Sequence, residues 1–177
     1  GAVISNDEQF LRECRLGTLM HFGSVMAPFT AFLVCRGLKT LGVRMKQYNE
    51  SALKIAKWLE ANPKIETVRY PFLESNPQYA IAKKQMKLYG GMMSIELKAD
   101  RDAVANALNK LQLCTIAVSL GDAETLVEHA ASMTHSTYTP EELKASGISE
   151  GLVRISVGLE DPDDIIADLK AVLDTLV

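Results

Sequence analysis

The sequence predicts an α/β domain, arranged as an α+β sandwich. We expect one four-stranded, mainly antiparallel sheet with helices on one face, preceded by a long helix. Three observations support this fold class. Four short apolar segments alternate with helical patterns, and an unbroken helical spacing of apolar residues runs over 28–62. In addition, 47% of the 177 residues are hydrophobic, which is enough to bury a sizeable core.

The long helix is predicted from Pro28 to about Asn62. Apolar side chains recur there at steps of three and four residues, which is the spacing of one helix face. Gly37 and Gly42 each destabilise a helix by about 1 kcal/mol relative to alanine, so they indicate a bend or a close helix contact. The preceding segment TLMHFGSVMAPF, residues 18–29, is apolar and irregular. Such a segment covers either the domain's own core or a subunit or domain interface.

Four strands and three further helices follow the long helix. The last helix is clearly marked, because Asp161-Pro162-Asp163-Asp164 supplies an N-cap, a first-turn proline and carboxylates at the positive end of the helix dipole. The other two helices are predicted after Pro77 and after Asp100. The strands are predicted at IETVRY (65–70), MMSIELK (92–98), CTIAVSL (114–120) and LVRISVG (152–158).

Composition and charge exclude several classes of partner. The formal net charge is −3, so no long basic field points to nucleic acid or an anionic membrane, and no apolar stretch is long enough to span a bilayer. Cys14, Cys35 and Cys114 lie far apart, which favours a reduced, cytoplasmic setting. His129 and His135 are six residues apart, which is not a usual zinc spacing, so we expect structural or surface histidines and no metal.

Two residues of the predicted strands are candidates for ligand binding. Arg154 lies in the middle of LVRISVG, and its planar guanidinium suits a carboxylate bound through two hydrogen bonds. Ser119 lies where CTIAVSL gives way to a loop, a common position for a ligand-binding hydroxyl. The residues alone leave simpler interpretations open. Arg154 can be an ordinary salt-bridged strand residue, and the Ser119 hydroxyl can bond its own backbone.

Three segments together resemble one enzyme family. AVSLGDAETLVEHAASMTHS (117–136), GISEGLVRISVGLEDPDDIIADL (147–169) and RGLKTLGVRM (36–45) are similar to the C-terminal part of the Cys/Met-metabolism enzymes of trans-sulfuration, which depend on pyridoxal phosphate (PLP). The similarity covers essentially the whole chain. It implies the C-terminal domain of a fold-type I PLP enzyme.

The resemblance also implies a division of the chain into three parts. Residues 1–27 correspond to a remnant of the large PLP-binding domain and its connection. Residues 28–62 form the long linking helix, and residues 63–177 form the C-terminal small domain.

The resemblance implies roles for four residues. Arg154 matches the arginine that binds the substrate α-carboxylate, Ser119 matches the residue that helps it, and Thr134 matches a supporting hydroxyl. Val118 stands where cystathionine-handling members carry glutamate, which makes the chain closest in appearance to the methionine γ-lyases. The activity implied is carbon–sulfur γ-elimination on methionine or a related sulfur amino acid, giving thiol, ammonia and a 2-oxo acid.

One departure from the subgroup keeps an alternative activity open. Leu19-Met20 replaces a Lys-Asp pair that the methionine γ-lyases carry in the active-site wall. A γ-replacement transferase, of the cystathionine γ-synthase or O-acylhomoserine sulfhydrylase type, is therefore the second interpretation. A non-catalytic fragment that serves as an interaction module is the third.

The resemblance finally implies a cofactor and partners. The cofactor is pyridoxal 5'-phosphate, but the lysine that holds it covalently lies, in the family, before the position matching the first residue here. We therefore expect no catalytic and no cofactor-binding residue in this chain, and no activity from the chain alone. The implied partners are a PLP-binding N-terminal domain, a sulfur amino-acid substrate and further copies in a homotetramer. No nucleic acid and no membrane are expected.

Overall fold

The fold is described from a computed structural model, which covers residues 3–23 and 25–176. Three residues of the predicted segment 1–27 lie outside the described part, namely the first two and Ser24. The last residue of the predicted segment 63–177 also lies outside it. The chain divides into two compact units, Gly1–Leu41 and Gly42–Val177.

The first unit is helical. Helix α1 is Glu8–Glu13, and it begins where the Asp7 side chain accepts a hydrogen bond of 3.0 Å from the Phe10 N–H. A π-helical segment, Cys14–Leu19, continues into α2, Met20–Phe22. Helix α3 follows at Pro28–Leu38, with its proline in the first turn, where the missing N–H has no intrahelical partner to lose.

The single helix predicted over 28–62 is wrong in one respect, because the structure has two helices there. Helix α3 ends at Leu38, and α4 runs over Leu41–Glu60. Between them the N–H groups of Lys39 and Thr40 bond the carbonyls of Arg36 and Gly37, three residues back, which is the tight turn that ends many helices. Glycine and a β-branched threonine are both poor helix formers, and their proximity explains the interruption.

The second unit is built around a mixed sheet. Among the described residues the sheet has five strands in the order β1-β2-β5-β4-β3. The pairs β1–β2, β2–β5 and β5–β4 are antiparallel, and the short β3–β4 pair is parallel. The strands are β1 Ile65–Arg69, β2 Met92–Leu97, β3 Thr115–Ile116, β4 Leu126–His129 and β5 Leu152–Ser156.

The predicted fold class is confirmed, and the predicted number of strands is wrong by one. The missing strand is β4, which consists of only Leu126–His129 and carries Glu128 and His129 in succession. All four residues are buried, so the alternation of apolar and polar residues that marks a half-exposed strand is absent. The strand predicted at 114–120 is correspondingly reduced to the two residues of β3.

One face of the sheet forms the core with the helices. Helices α5, α6, α7 and α8 are Tyr79–Gln85, Arg101–Leu108, Pro140–Ala145 and Pro162–Leu173. Ile155 of β5 and Ile95 of β2 point to the same side as Val127 of β4, and all three belong to one apolar cluster. Helices α4, α6 and α8 contribute Leu59, Val104 and Leu169 to this cluster. Successive strand residues alternate between faces, so Arg154 and Glu128 point to the opposite face.

The Asp168 carboxylate holds helix α8 to the segment that leads into β3. It accepts the backbone N–H groups of Gln112, Leu113 and Cys114, each at 2.9 Å. Burial alone would raise the pKa of Asp168, but the three N–H groups stabilise the ionised form more strongly and hold this pKa below its usual value. This carboxylate therefore holds in place the segment that leads into β3, the edge strand that precedes the Ser119 loop.

Replacing Asp168 by alanine is expected to lower the free energy of unfolding by about 1–3 kcal/mol, because three N–H groups lose their acceptor. Urea unfolding of the chain measures the change. The matched control is Asp174→Ala, which removes an exposed pair with Lys170 near the end of the same helix. That loss is expected to stay below about 0.5 kcal/mol. Equal effects of the two substitutions would contradict the role of Asp168.

Candidate functional site

The open face of the sheet carries a cavity of about 600 Å³. Its floor is a row of residues that face one another across the strands. Ser94 of β2 pairs with Arg154 of β5, and Arg154 pairs with Glu128 of β4. The polar side chains that line the cavity are Arg69, Ser94, Glu128, Thr134, His135 and Arg154.

Arg154 is bound on three sides by the protein. Its Nη1 atom forms an ion pair of 2.7 Å with Oε2 of Glu128. Its Nη2 atom donates to the backbone carbonyls of Val118 and Ser119, at 2.9 Å each. The structure thus brings Arg154 and Ser119 together as the sequence predicts, but through the carbonyl of Ser119 and not through its exposed hydroxyl.

Some polar atoms of this pair remain available. Arg154 has five N–H groups, of which the Val118, Ser119 and Glu128 contacts engage three. The Nε atom of Arg154 and the Oε1 atom of Glu128 are buried and have no hydrogen-bond partner among the described residues. Buried polar atoms are rarely left unpaired in a folded protein, so this pair has the capacity to bind one more group.

The loop that carries Ser119 is tied to the rest of the second unit. The Gly121 N–H donates to the Ser156 hydroxyl at 2.9 Å, and the Tyr48 hydroxyl donates to the Asp122 carbonyl at 3.1 Å. Gly121 has a φ of 77°, a left-handed conformation that glycine adopts at little cost. The sequence Ser119-Leu120-Gly121 therefore turns sharply, and the turn places the two carbonyls against Arg154.

A second tie closes the same loop at its far end. The Glu160 carboxylate accepts the backbone N–H of Thr125 at 2.6 Å and its hydroxyl at 2.8 Å. The Thr125 hydroxyl in turn accepts the Gly158 N–H at 2.9 Å. A Cβ atom at Gly158 would lie 2.5 Å from the Ala123 carbonyl oxygen, so only glycine fits there. Sequence reasoning missed Thr125, Glu160 and Glu128, since only the pairing of distant segments gives them partners.

Thr134 and Val118, the other two predicted site residues, lie differently. Thr134 lines the cavity with Arg154, and its hydroxyl is 2.9 Å from Nδ1 of His135. Val118 contributes its carbonyl to Arg154, whereas the residue as a whole is 56% exposed. All four predicted residues therefore lie at or beside one cavity.

His129 is buried at the end of β4. Its Nε2 donates to the Glu150 carbonyl at 2.7 Å, so its Nδ1 accepts from the Ser132 hydroxyl at 2.8 Å. Burial lowers the pKa of His129, the charge of Arg101 lowers it further, and the bond to Glu150 opposes the shift. Within residues 3–23 and 25–176, no group of three or more His, Cys, Asp or Glu side chains could hold a metal ion.

Fold and site together define an α/β domain that presents an arginine to an open cavity. The chain belongs to the Cys/Met metabolism PLP-dependent enzyme family, which it matches over residues 1–174. The resemblance drawn from the sequence is confirmed, and so is the cofactor of the family, pyridoxal phosphate.

Named relatives include an L-methionine gamma-lyase of Treponema denticola, 52% identical over all of this chain and 44% of its own length. An L-methionine gamma-lyase of Porphyromonas gingivalis is 53% identical over 96% of this chain and 43% of its own length. The solved structure of cystathionine gamma synthase from Xanthomonas oryzae pv. oryzae superposes with a TM-score of 0.90 and 38% identity, over 98% of this chain and 44% of that one. The chain thus spans less than half the length of these relatives.

The cavity residues fit only part of the chemistry of a PLP enzyme. No lysine of the described residues lines the cavity, so nothing there could hold the cofactor covalently. The cavity instead presents the guanidinium of Arg154, which has N–H groups that the contacts with Val118, Ser119 and Glu128 do not engage. Within residues 3–23 and 25–176, none of the helices combines the length and the apolar composition that a membrane span requires.

The buried, neutral His129 makes the stability of the chain depend on pH. The unfolded chain takes up a proton at the ordinary histidine pKa of about 6.5, whereas the folded chain does so only at lower pH. The free energy of unfolding is therefore expected to fall as the pH is lowered through about 6.5. Urea unfolding at several pH values measures this fall. It should shrink in His129→Asn and persist in the control His135→Asn, and an unchanged fall in His129→Asn would refute the assignment.

Proposed function

We propose that the protein containing this chain is a PLP-dependent carbon–sulfur lyase. Its reaction is γ-elimination on methionine or a related sulfur amino acid, with release of a thiol, ammonia and a 2-oxo acid. The observation that carries the proposal is the Arg154 guanidinium, held in a cavity beside the Ser119 loop. The L-methionine gamma-lyases of about 50% identity support the choice of reaction.

In this proposal Arg154 binds the α-carboxylate of the substrate. The remaining N–H of Nη1 supplies a donor, and the Val118 and Ser119 carbonyls keep the guanidinium plane in one orientation. A fixed carboxylate orients the bonds at the substrate α-carbon, and this orientation decides which bond reacts. Bound PLP supplies the electron sink for the carbanion chemistry.

Three further residues complete the proposed substrate site. Ser119 assists at the carboxylate, where its exposed hydroxyl is free to reorient toward a ligand. Thr134 supports the same cavity through its bond to His135. The exposed, apolar side chain of Val118 suits an uncharged thioether, because it offers a charged substrate end no partner.

The chain has a surface suited to the larger partners that the proposal requires. In the first unit Phe22 is 84% exposed, Val25 75% and Phe29 71%. A monomer rarely leaves so many large apolar side chains in water close together in sequence, so they are a candidate contact surface. We propose that they contact the PLP-binding half of the protein, that the active protein is a homotetramer, and that the chain alone is inactive.

The reaction type is tested with the full-length protein and two substrate mixtures. Methionine alone is expected to yield methanethiol and a 2-oxo acid, which a lactate dehydrogenase assay or a hydrazine reagent measures. O-acetylhomoserine with sulfide tests the γ-replacement alternative, for which the similarity to cystathionine gamma synthase is the supporting observation. Consumption of the second mixture alone would replace the lyase proposal with a transferase, and consumption of neither would refute both.

Replacing Arg154 by lysine is expected to raise KM for methionine by about 100-fold in the full-length protein. An ammonium cannot reproduce the planar fork, and a shorter cation loses the two carbonyl contacts. The free energy equivalent is about 2.7 kcal/mol, within the range for a charge-assisted hydrogen-bonded contact. Steady-state kinetics measures the change.

The matched control is Arg69→Lys. Arg69 lines the same cavity from β1 but is paired with Glu96 at 2.6 Å, away from the Ser119 loop. Its substitution is expected to change KM by less than about threefold, since a half-exposed ion pair contributes little. An unchanged KM in Arg154→Lys, or equal changes in both variants, would remove Arg154 from the substrate site.

A further inference from the structure

Glu128 is the closest charged neighbour of Arg154, and the protein shields it from water. The Glu128 side chain is 4% exposed, and its Oε2 atom lies 2.7 Å from Nη1 of Arg154. Register fixes this contact, because the two residues pair directly across β4 and β5. Directly opposed residues on one sheet face have Cβ atoms about 5 Å apart, so neither side chain needs to be extended to make the pair.

Arg154 is the charged partner that balances Glu128. The second oxygen of Glu128, Oε1, has no hydrogen-bond partner in the described part of the chain. The other arginine of the cavity, Arg69, is paired with Glu96 at 2.6 Å. The Arg154–Glu128 pair is therefore electrically neutral before any ligand binds.

A carboxylate that binds to Arg154 adds a second negative charge to a site that is already neutral. Two carboxylates then share one guanidinium at close range, and their repulsion is poorly screened where Glu128 is buried. Glu128 thus already offsets part of the electrostatic attraction that Arg154 could exert on the ligand.

We propose that Glu128 sets the affinity of this site by competing with the ligand carboxylate for Arg154. The inference rests on the proposed function only in taking the ligand to be an amino acid. Glu128 acts through Arg154 and is a positioning residue, not a catalytic one. Its competition keeps carboxylate binding weak, which favours release of the 2-oxo acid product because that product retains the same carboxylate.

Glu128→Gln tests the proposal because it removes the charge and keeps the shape. The amide oxygen can still accept from Nη1, and the Val118 and Ser119 carbonyls still hold Nη2. In the full-length protein we expect KM for methionine to fall at least about threefold while kcat stays within about twofold. A role confined to support of the fold would not lower KM.

Binding is measured separately from turnover with 4-methylthiobutanoate, which has the carboxylate and thioether of methionine but no amino group. Calorimetry on the full-length protein should show its Kd fall at least about threefold in Glu128→Gln. The matched control is Glu96→Gln, which removes the other buried carboxylate of this sheet face, paired with Arg69. It is expected to leave both constants within about twofold.

Each outcome decides the proposal. A lower KM and Kd in Glu128→Gln, with no such change in Glu96→Gln, supports competition, whereas unchanged or raised constants overturn it. If circular dichroism shows that Glu128→Gln does not fold, Glu128→Met decides by the same criteria, since it also removes the charge. A wild-type protein that consumes no sulfur amino acid refutes the proposed function, yet the change in Kd still tests Glu128. Absence of 4-methylthiobutanoate binding in all variants overturns the inference.

Discussion

The site depends on how the sheet accommodates a guanidinium at Arg154. A charged side chain that is largely withdrawn from water, as that of Arg154 is, is costly unless it is paired and hydrogen-bonded. Here a buried carboxylate on the neighbouring strand and two backbone carbonyls of a loop provide the partners. These contacts leave the guanidinium in one orientation with donors unused, which is the state that a carboxylate-binding site requires.

The loop is as important to the site as the arginine. Its carbonyls can face Arg154 because Gly121 turns the chain and because Ser156 and Glu160 tie the loop at both ends. Both ties come from β5 and the segment after it, so the strand that carries Arg154 also places the loop that orients it. A change in this strand is therefore transmitted to both halves of the site.

Membership of the Cys/Met-metabolism family gives this arrangement a chemical setting. The similarity extends over residues 1–174, but the chain spans less than half the length of the curated relatives it matches. The cavity is lined by Arg154 and by no lysine among its described residues, which agrees with the proposal that this chain orients a substrate for chemistry that a cofactor performs. The exposed aromatic side chains of the first unit are consistent with a domain that works in contact with others.

The sequence alone determined most of the secondary structure, the side of the sheet on which Arg154 lies and the family. These features depend on local periodicity, on caps such as Asp161, and on motifs that are contiguous in the chain. The tertiary structure alone decided that β4 exists, that the helix is interrupted after Leu38, and that Glu128 is the partner of Arg154. Glu128 and Arg154 are 26 positions apart, and only strand register determines which carboxylate reaches the guanidinium. A short strand buried on both faces has no periodic signature, because tertiary pairing, not its own composition, makes it a strand.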